Sequence, residues 1–245
     1  MTPRLSLTIV IPAYNEEQRL PPALTRVRAY CDGSTRYSGV EILIVDDGSR
    51  DGTATLVESV AAQDPRVRLL RNPGNRGKGY SVRHGMLEAR NEWVLFSDAD
   101  LSAPIEELDK LLDSVLPGGA QVAIGSRALD RSLIGVHQGH TRELAGIVLN
   151  RVMRLVTGLP FADTQCGFKL FRRDAARLIF ARQQLDGFTF DVEDLFIARL
   201  LNIPAIEVPV RWNNVEGTKV GMMVGPQFFL DLILIHWYRL KGKYR

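Results

Sequence analysis

Five apolar runs punctuate the first half of the chain, and helical patterns separate them. Leu7-Thr8-Ile9-Val10-Ile11, Glu41-Ile42-Leu43-Ile44-Val45, the runs 67–70 and 122–124, and Trp93-Val94-Leu95-Phe96 each read as a strand with almost no polar face. Segments 22–30, 53–62, 78–89 and 104–115 between them read as helices. Strands that are apolar on both sides must be covered on both sides, and helical crossovers between them make neighbours parallel. The expected fold class is therefore α/β: a Rossmann-like, mostly parallel sheet with helices on both faces.

The second half follows a different pattern. Leu144, Ile147, Val148, Val152 and Leu155 recur at helical spacing, with Arg142, Arg151 and Arg154 on other faces. Segment 191–201 reads as a helix and 203–210 as a late strand. A final apolar helix, 226–240, runs into Lys241, Lys243 and Arg245. The chain has 245 residues, which suits one such domain with a sizeable core. The expected division is a catalytic domain over 1–223 and an apolar, basic C-terminal helix over 224–245, contacting a membrane interface or another subunit. No apolar run reaches the roughly 18 residues of a spanning helix, and Asp231 and His236 interrupt the nearest one.

Net charge is only +3, and no long basic run exists, so nucleic-acid binding has no support. Cys31 and Cys166 form no CxxC pair and read as reduced thiols. His84, His137, His140 and His236 lack metal-ligand spacing and read as structural or solvated.

Chemistry concentrates where an open α/β sheet binds ligands, beyond the carboxyl ends of the strands. Pro12-Ala13-Tyr14-Asn15-Glu16 follows the first strand, Asp46-Asp47-Gly48-Ser49 the second, and Asp98-Ala99-Asp100 the strand ending in Phe96. One aspartate at a strand end is commonly a helix cap; four at two strand ends point to a ligand. In an extended segment, alternation would aim Asp98 and Asp100 to one side. Paired carboxylates suit a hard divalent cation that shares its shell with substrate phosphates. The glycine-rich basic stretch 72–85 matches neither the Walker pattern nor the dinucleotide fingerprint. It reads either as a strand-to-helix turn or as a loop framing a nucleotide. Phe190-Asp191-Val192-Glu193-Asp194 places three carboxylates at a helix start, which favours the helix dipole or serves a site.

The order VIPAYNE, VDDGS, DAD, GSR resembles the family 2 inverting glycosyltransferases, which have the GT-A fold. DTQCGFKLF (163–171), FDVED (190–194) and WNNVEGTKV (212–220) are similar to the dolichyl-phosphate β-glucosyltransferases and their prokaryotic polyprenyl-phosphate relatives. That resemblance covers about residues 5 to 220. It implies a nucleotide-sugar donor, a polyprenyl-phosphate acceptor and Mg²⁺ or Mn²⁺, at the cytoplasmic face of a membrane, with a homo-oligomer possible. It also implies roles. Pro12, Tyr14, Glu16, Asp47 and Ala99 would line the nucleotide, with Asp47 accepting from the base. Asp98 and Asp100 would hold metal and diphosphate. Arg127, Lys169 and Lys219 would meet phosphate charge, and Asp191 or Glu193 would act as base or position the sugar. Related mannosyltransferases carry an arginine where this chain has Val215, which favours UDP-glucose over GDP-mannose. A sugar nucleotidyltransferase would place a glycine-rich loop after the first strand, where PAYNE stands instead. A non-catalytic sugar-nucleotide sensor would have no need of Asp98 and Asp100.

Overall fold

The computed structural model describes residues 4–136, 150–215 and 224–245. Five parallel crossover strands appear as expected: β1 (Leu5–Ala13), β2 (Tyr37–Asp46), β3 (Val67–Arg71), β4 (Trp93–Ser97) and β5 (Val122–Ser126). The helices between them are α1 (Leu20–Gly33), α2 (Thr53–Ala61), α3 (Lys78–Glu88) and α4 (Leu108–Gly118). A 3₁₀ turn, Ile105–Glu107, replaces the first turn expected of α4. The second half adds β6 (Ile134–Val136), a helix described over 150–157 (α5), β7 (Phe168–Arg172), α6 (Arg173–Phe180), α7 (Phe190–Leu200), β8 (Ala205–Pro209), β9 (Trp212–Asn213) and α8 (Val224–Leu240).

Seven strands form the main sheet in the order β3-β2-β1-β4-β7-β5-β8, and β6 pairs with β9 separately. Side-chain alternation along β1 sorts Leu7, Ile9 and Ile11 to one face of the sheet and Val10 to the other. The first face is covered by α1, α2 and α4; the second by α3, α6, α7 and α8. In α4 the buried Leu108, Leu111, Leu112 and Val115 follow the i, i+3, i+4, i+7 spacing of a helix that packs one stripe. Each such side chain contributes roughly 1.5–3 kcal/mol on burial, as an upper bound. Gly119, at φ 70°, ends this helix in the left-handed conformation that favours glycine.

Two elements depart from the sequence expectation. β7 runs antiparallel between β4 and β5, within DTQCGFKLF, where no strand is expected from the sequence. Its Lys169 is 1% exposed, and a lysine inside a buried strand breaks the apolar run that marks such strands. α8 is apolar on two sides. Phe228, Leu232 and Ile235 are buried in the core, while Phe229, Leu230, Ile233, Trp237 and Leu240 face outward. Segment 224–245 thus supplies core packing as well as an outer surface. Among the described residues, no helix is long and apolar enough to cross a membrane. Both cysteines are free and buried, and burial pushes each thiol up to about 12. Most of the arginine-bearing segment 142–155, with His137, His140 and Lys219, lies outside the described residues.

Candidate active site

A cavity of about 630 Å³ opens beyond the carboxyl ends of β1, β2 and β4. Pro12, Tyr14, Glu16, Asp47, Asp98, Ala99 and Asp100 all line it, together with Arg19, Asn75, Gly77, Lys78 and Phe188. The parallel register explains the convergence, since Ala13 pairs with Asp46, and Val10 with Phe96, on either side of β1.

The Asp98–Asp100 segment is a turn and not the extended run expected. Leu101 N–H donates to Asp98 O at 3.2 Å, and Leu101 itself sits at φ 48°. A left-handed non-glycine residue costs of order 1–3 kcal/mol and is found where a site demands it. Ser102 N–H donates to Asp100 Oδ1 at 2.9 Å, which fixes that carboxylate. Burial, then the neighbouring Asp98 charge, push the Asp100 carboxyl above its usual range. Among the described residues no group of three or more His, Cys, Asp or Glu stands ready for a metal. Asp98 and Asp100 present two hard oxygen donors to the cavity, a set that would suit a divalent cation if substrate phosphate and water completed its shell.

Asp47 is 4% exposed and organises the glycine-rich loop. Its Oδ1 accepts from Asn72 Nδ2 (2.8 Å) and Arg76 N–H (2.9 Å), and its Oδ2 from Gly77 N–H (2.9 Å). Gly77 adopts φ 105°, and a Cβ there would meet Asp186 O at 2.4 Å. The loop turns β3 into α3, and its Asn75, Gly77 and Lys78 line the cavity. Glu16 is held by Arg19 through two contacts of 2.7 and 2.8 Å.

Lys169 and Arg127, expected to meet phosphate, are each engaged with a carboxylate. Lys169 Nζ is buried, donates to Cys166 O at 2.9 Å and pairs with Asp191 at short range. It does not line the cavity and is no open phosphate ligand. Arg127 clamps Asp163 with Nε (2.6 Å) and Nη2 (2.9 Å) and lies over the Trp212 ring. Burial raises the Asp163 carboxyl, but the Arg127 guanidinium outweighs it and holds the group below its usual range.

α7 separates its two candidate acids. Asp191 turns to Lys169; burial pushes its carboxyl up, against the pull of Lys169 and Lys78. Glu193 turns the other way, accepting from Gln184 N–H, Leu185 N–H and the Tyr244 hydroxyl at 2.6 Å. It braces the loop before α7 and the C-terminal tail. Beside it Thr189 donates to Asp231 of α8 at 2.6 Å.

Sequence reasoning missed three participants. Lys78 Nζ stands 2.7 Å from Asp98 Oδ1; Gly77-Lys78-Gly79 is visible in the sequence, but its proximity to a distant strand end is not. Asp163 holds Arg127, and Gly167 donates no side chain beside Asp98; both lie in DTQCGFK, whose specificity was legible without its geometry.

The Glycosyl transferase family 2 model matches residues 8–180. A dolichyl-phosphate beta-glucosyltransferase of Trichomonas vaginalis is 36% identical over 242 residues, covering 96% of this chain and 72% of that protein. The dolichyl-phosphate beta-glucosyltransferase of Homo sapiens is 34% identical over 256 residues, covering 100% and 79%. Among solved structures, glucosyl-3-phosphoglycerate synthase from Mycobacterium tuberculosis, in complex with Mn²⁺, UDP-glucose and phosphoglyceric acid, superposes with a TM-score of 0.65. It is 18% identical and covers 94% of this chain and 79% of its own. Mannosyl-3-phosphoglycerate synthase from Rubrobacter xylanophilus gives 0.68 at 18% identity, covering 98% and 75%. At such identities the likeness is one of fold.

Proposed function

Because this chain belongs to glycosyltransferase family 2, we propose that it transfers glucose from UDP-glucose to the phosphate of a long-chain polyprenol or dolichol, inverting the anomeric carbon. The observation that carries this reading is the cavity at the strand ends, where Asp98 and Asp100 converge with the residues expected to line a nucleotide. Relatives named for dolichyl-phosphate glucosyl transfer match nearly the whole chain, which supports the acceptor class. Val215, where mannosyl relatives carry arginine, supports glucose.

The donor's nucleoside would lie along Pro12, Tyr14 and Asp47, its diphosphate towards Asp98, Ala99 and Asp100. Asp98 and Asp100 would hold Mg²⁺ or Mn²⁺, which neutralises charge growing on a leaving diphosphate. The acceptor phosphate has a second pKa of about 6, so it is largely ionised at neutral pH and needs little help from a base. Asp191, already paired with Lys169, accordingly positions the sugar. Arg127 keeps its Nε and Nη2 on Asp163 and would have Nη1 left for acceptor charge, a role the resemblance also gives to Lys219. A lipid acceptor supports a peripheral position at a membrane surface, for which the outer side of α8 would supply contact; the cytoplasmic face is what the family resemblance implies.

Initial rates with UDP-glucose and GDP-mannose, each with a polyprenyl phosphate and Mg²⁺ or Mn²⁺, test the proposal. Glucosyl-lipid formed faster with UDP-glucose is expected. Equal or better use of GDP-mannose would favour the mannosyl alternative. UDP binding without any product would favour the sensor.

A further inference from the structure

The Lys78 ammonium pairs with Asp98, one of the two carboxylates that would hold a cation. Its Nζ is 2.7 Å from Asp98 Oδ1 in the cavity that Asp100 also lines. Its stem crosses the Phe96 ring, with Nζ 5.4 Å from the centroid. The backbone beneath it is tightly packed. A Cβ at Gly77 would meet Asp186 O at 2.4 Å, and one at Gly79 would meet Leu185 O at 2.7 Å, so this first turn of α3 is wedged against the 185–187 loop. Only the flexible side chain can swing, and it is only partly enclosed, at 24% exposure.

We propose that Lys78 competes with the divalent cation for Asp98, and that the donor's diphosphate removes the competition by drawing the ammonium onto its own oxygens. A lysine is a compact point charge on a rotatable stem, suited to such an exchange between two anions. Without nucleotide, an arriving cation must displace the ammonium or bind beside a like charge, and both are unfavourable. With diphosphate present, Lys78 has a second anion to satisfy and Asp98 is released. Metal and nucleotide thereby bind cooperatively, each tightening the other by the same factor. The inference rests on the metal reading of Asp98 and Asp100, and it is independent of which sugar or acceptor is used.

Mn²⁺ binding followed by the loss of the free-ion EPR signal, with and without UDP, tests it without turnover. For the wild type, UDP should tighten Mn²⁺ by about tenfold or more, within the usual range of site–site coupling. Lys78→Met and Lys78→Gln should both bind Mn²⁺ about tenfold more tightly than wild type when UDP is absent, and the tightening by UDP should shrink to a similar degree. In metal-free buffer both variants should bind UDP more weakly. Nucleotide-free Mn²⁺ affinity equal to or below wild type in folded Lys78→Gln would overturn the competition. Absence of Mn²⁺ binding to wild type even with UDP would overturn the metal reading and this inference together.

Discussion

Gly167 lacks a side chain where the Asp98 carboxylate lies: a Cβ on Gly167 would stand 2.0 Å from Asp98 Oδ2. The same glycine's carbonyl accepts Asp98 N–H at 3.0 Å. Gly167 is not among the residues with positive φ, so the need for glycine here is one of space.

Gly167→Ala therefore displaces Asp98 without straining the backbone. Overpacking of this kind costs roughly 1–3 kcal/mol when neighbours must move. The expected result is a modest loss in urea-unfolding stability with a disproportionate loss of transfer rate and of Mn²⁺-dependent UDP binding. Wild-type turnover in the alanine variant would show that Asp98 need not hold this position.

Asp100→Ala removes a carboxylate fixed by Ser102 and aimed into the cavity. Losing one preorganised electrostatic contact costs on the order of a hundredfold to a thousandfold in rate. The variant should stay folded by circular dichroism and lose activity by at least this much, as should wild type in excess chelator. Full turnover under either condition would remove the metal from the mechanism.

Asp64 offers a stability test far from the site. It accepts from Arg66 Nε and Nη2 at 2.9 and 2.8 Å and from Arg28 Nε at 2.8 Å. The Arg66 hydrogen bonds hold its carboxyl well below the ordinary carboxylate range. A folded-state value below the unfolded one stabilises the fold above about pH 4, and that contribution drains away as pH falls through about 4 towards the folded value. Asp64→Asn should cost about 2 kcal/mol at neutral pH. The gap between variant and wild type, read from urea unfolding, should narrow as the solution is acidified. A gap that stays constant with pH would mean the charge is not what Asp64 contributes.

Membrane contact is best probed on the outer face of α8. Deleting 224–245 would also strip Phe228, Leu232, Ile235 and Tyr244 from the core. Phe229, Ile233 and Trp237 are 47, 66 and 48% exposed, so a triple serine variant keeps the buried face of α8 and should stay folded by circular dichroism. Such side chains settle in a lipid interface beside basic residues; each contributes up to roughly 1.5–3 kcal/mol on leaving water. Flotation with anionic vesicles should fall at least roughly tenfold while UDP binding persists. Unchanged flotation would place the contact elsewhere.

Much of this site is legible in the sequence because parallel strands announce their own carboxyl ends. Once β1, β2 and β4 are recognised by their apolar runs, Asp47, Asp98 and Asp100 must gather at one edge. The rest depends on tertiary partners. β7 is hidden because Lys169, satisfied by Asp191 and Cys166 O, imitates a surface residue. Asp231 reads as an interruption of an apolar helix, yet it is 5% exposed and accepts from Thr189 and Gln227. Lys78 and Gly167 take their meaning from Asp98, a neighbour in space alone.

The interposed β7 also bears on how the chain matures at the ribosome. β4 and β5 leave the exit tunnel first, yet neither pairs with the other; both wait for Phe168–Arg172 to enter between them. Until then the nascent sheet presents two open edges, each able to recruit the wrong strand. The seat of the Asp98 carboxylate arrives with that same late insertion. Closure of the sheet and the arrival of Gly167 beside Asp98 thus coincide along the chain, because Gly167 directly precedes the strand that fills the gap.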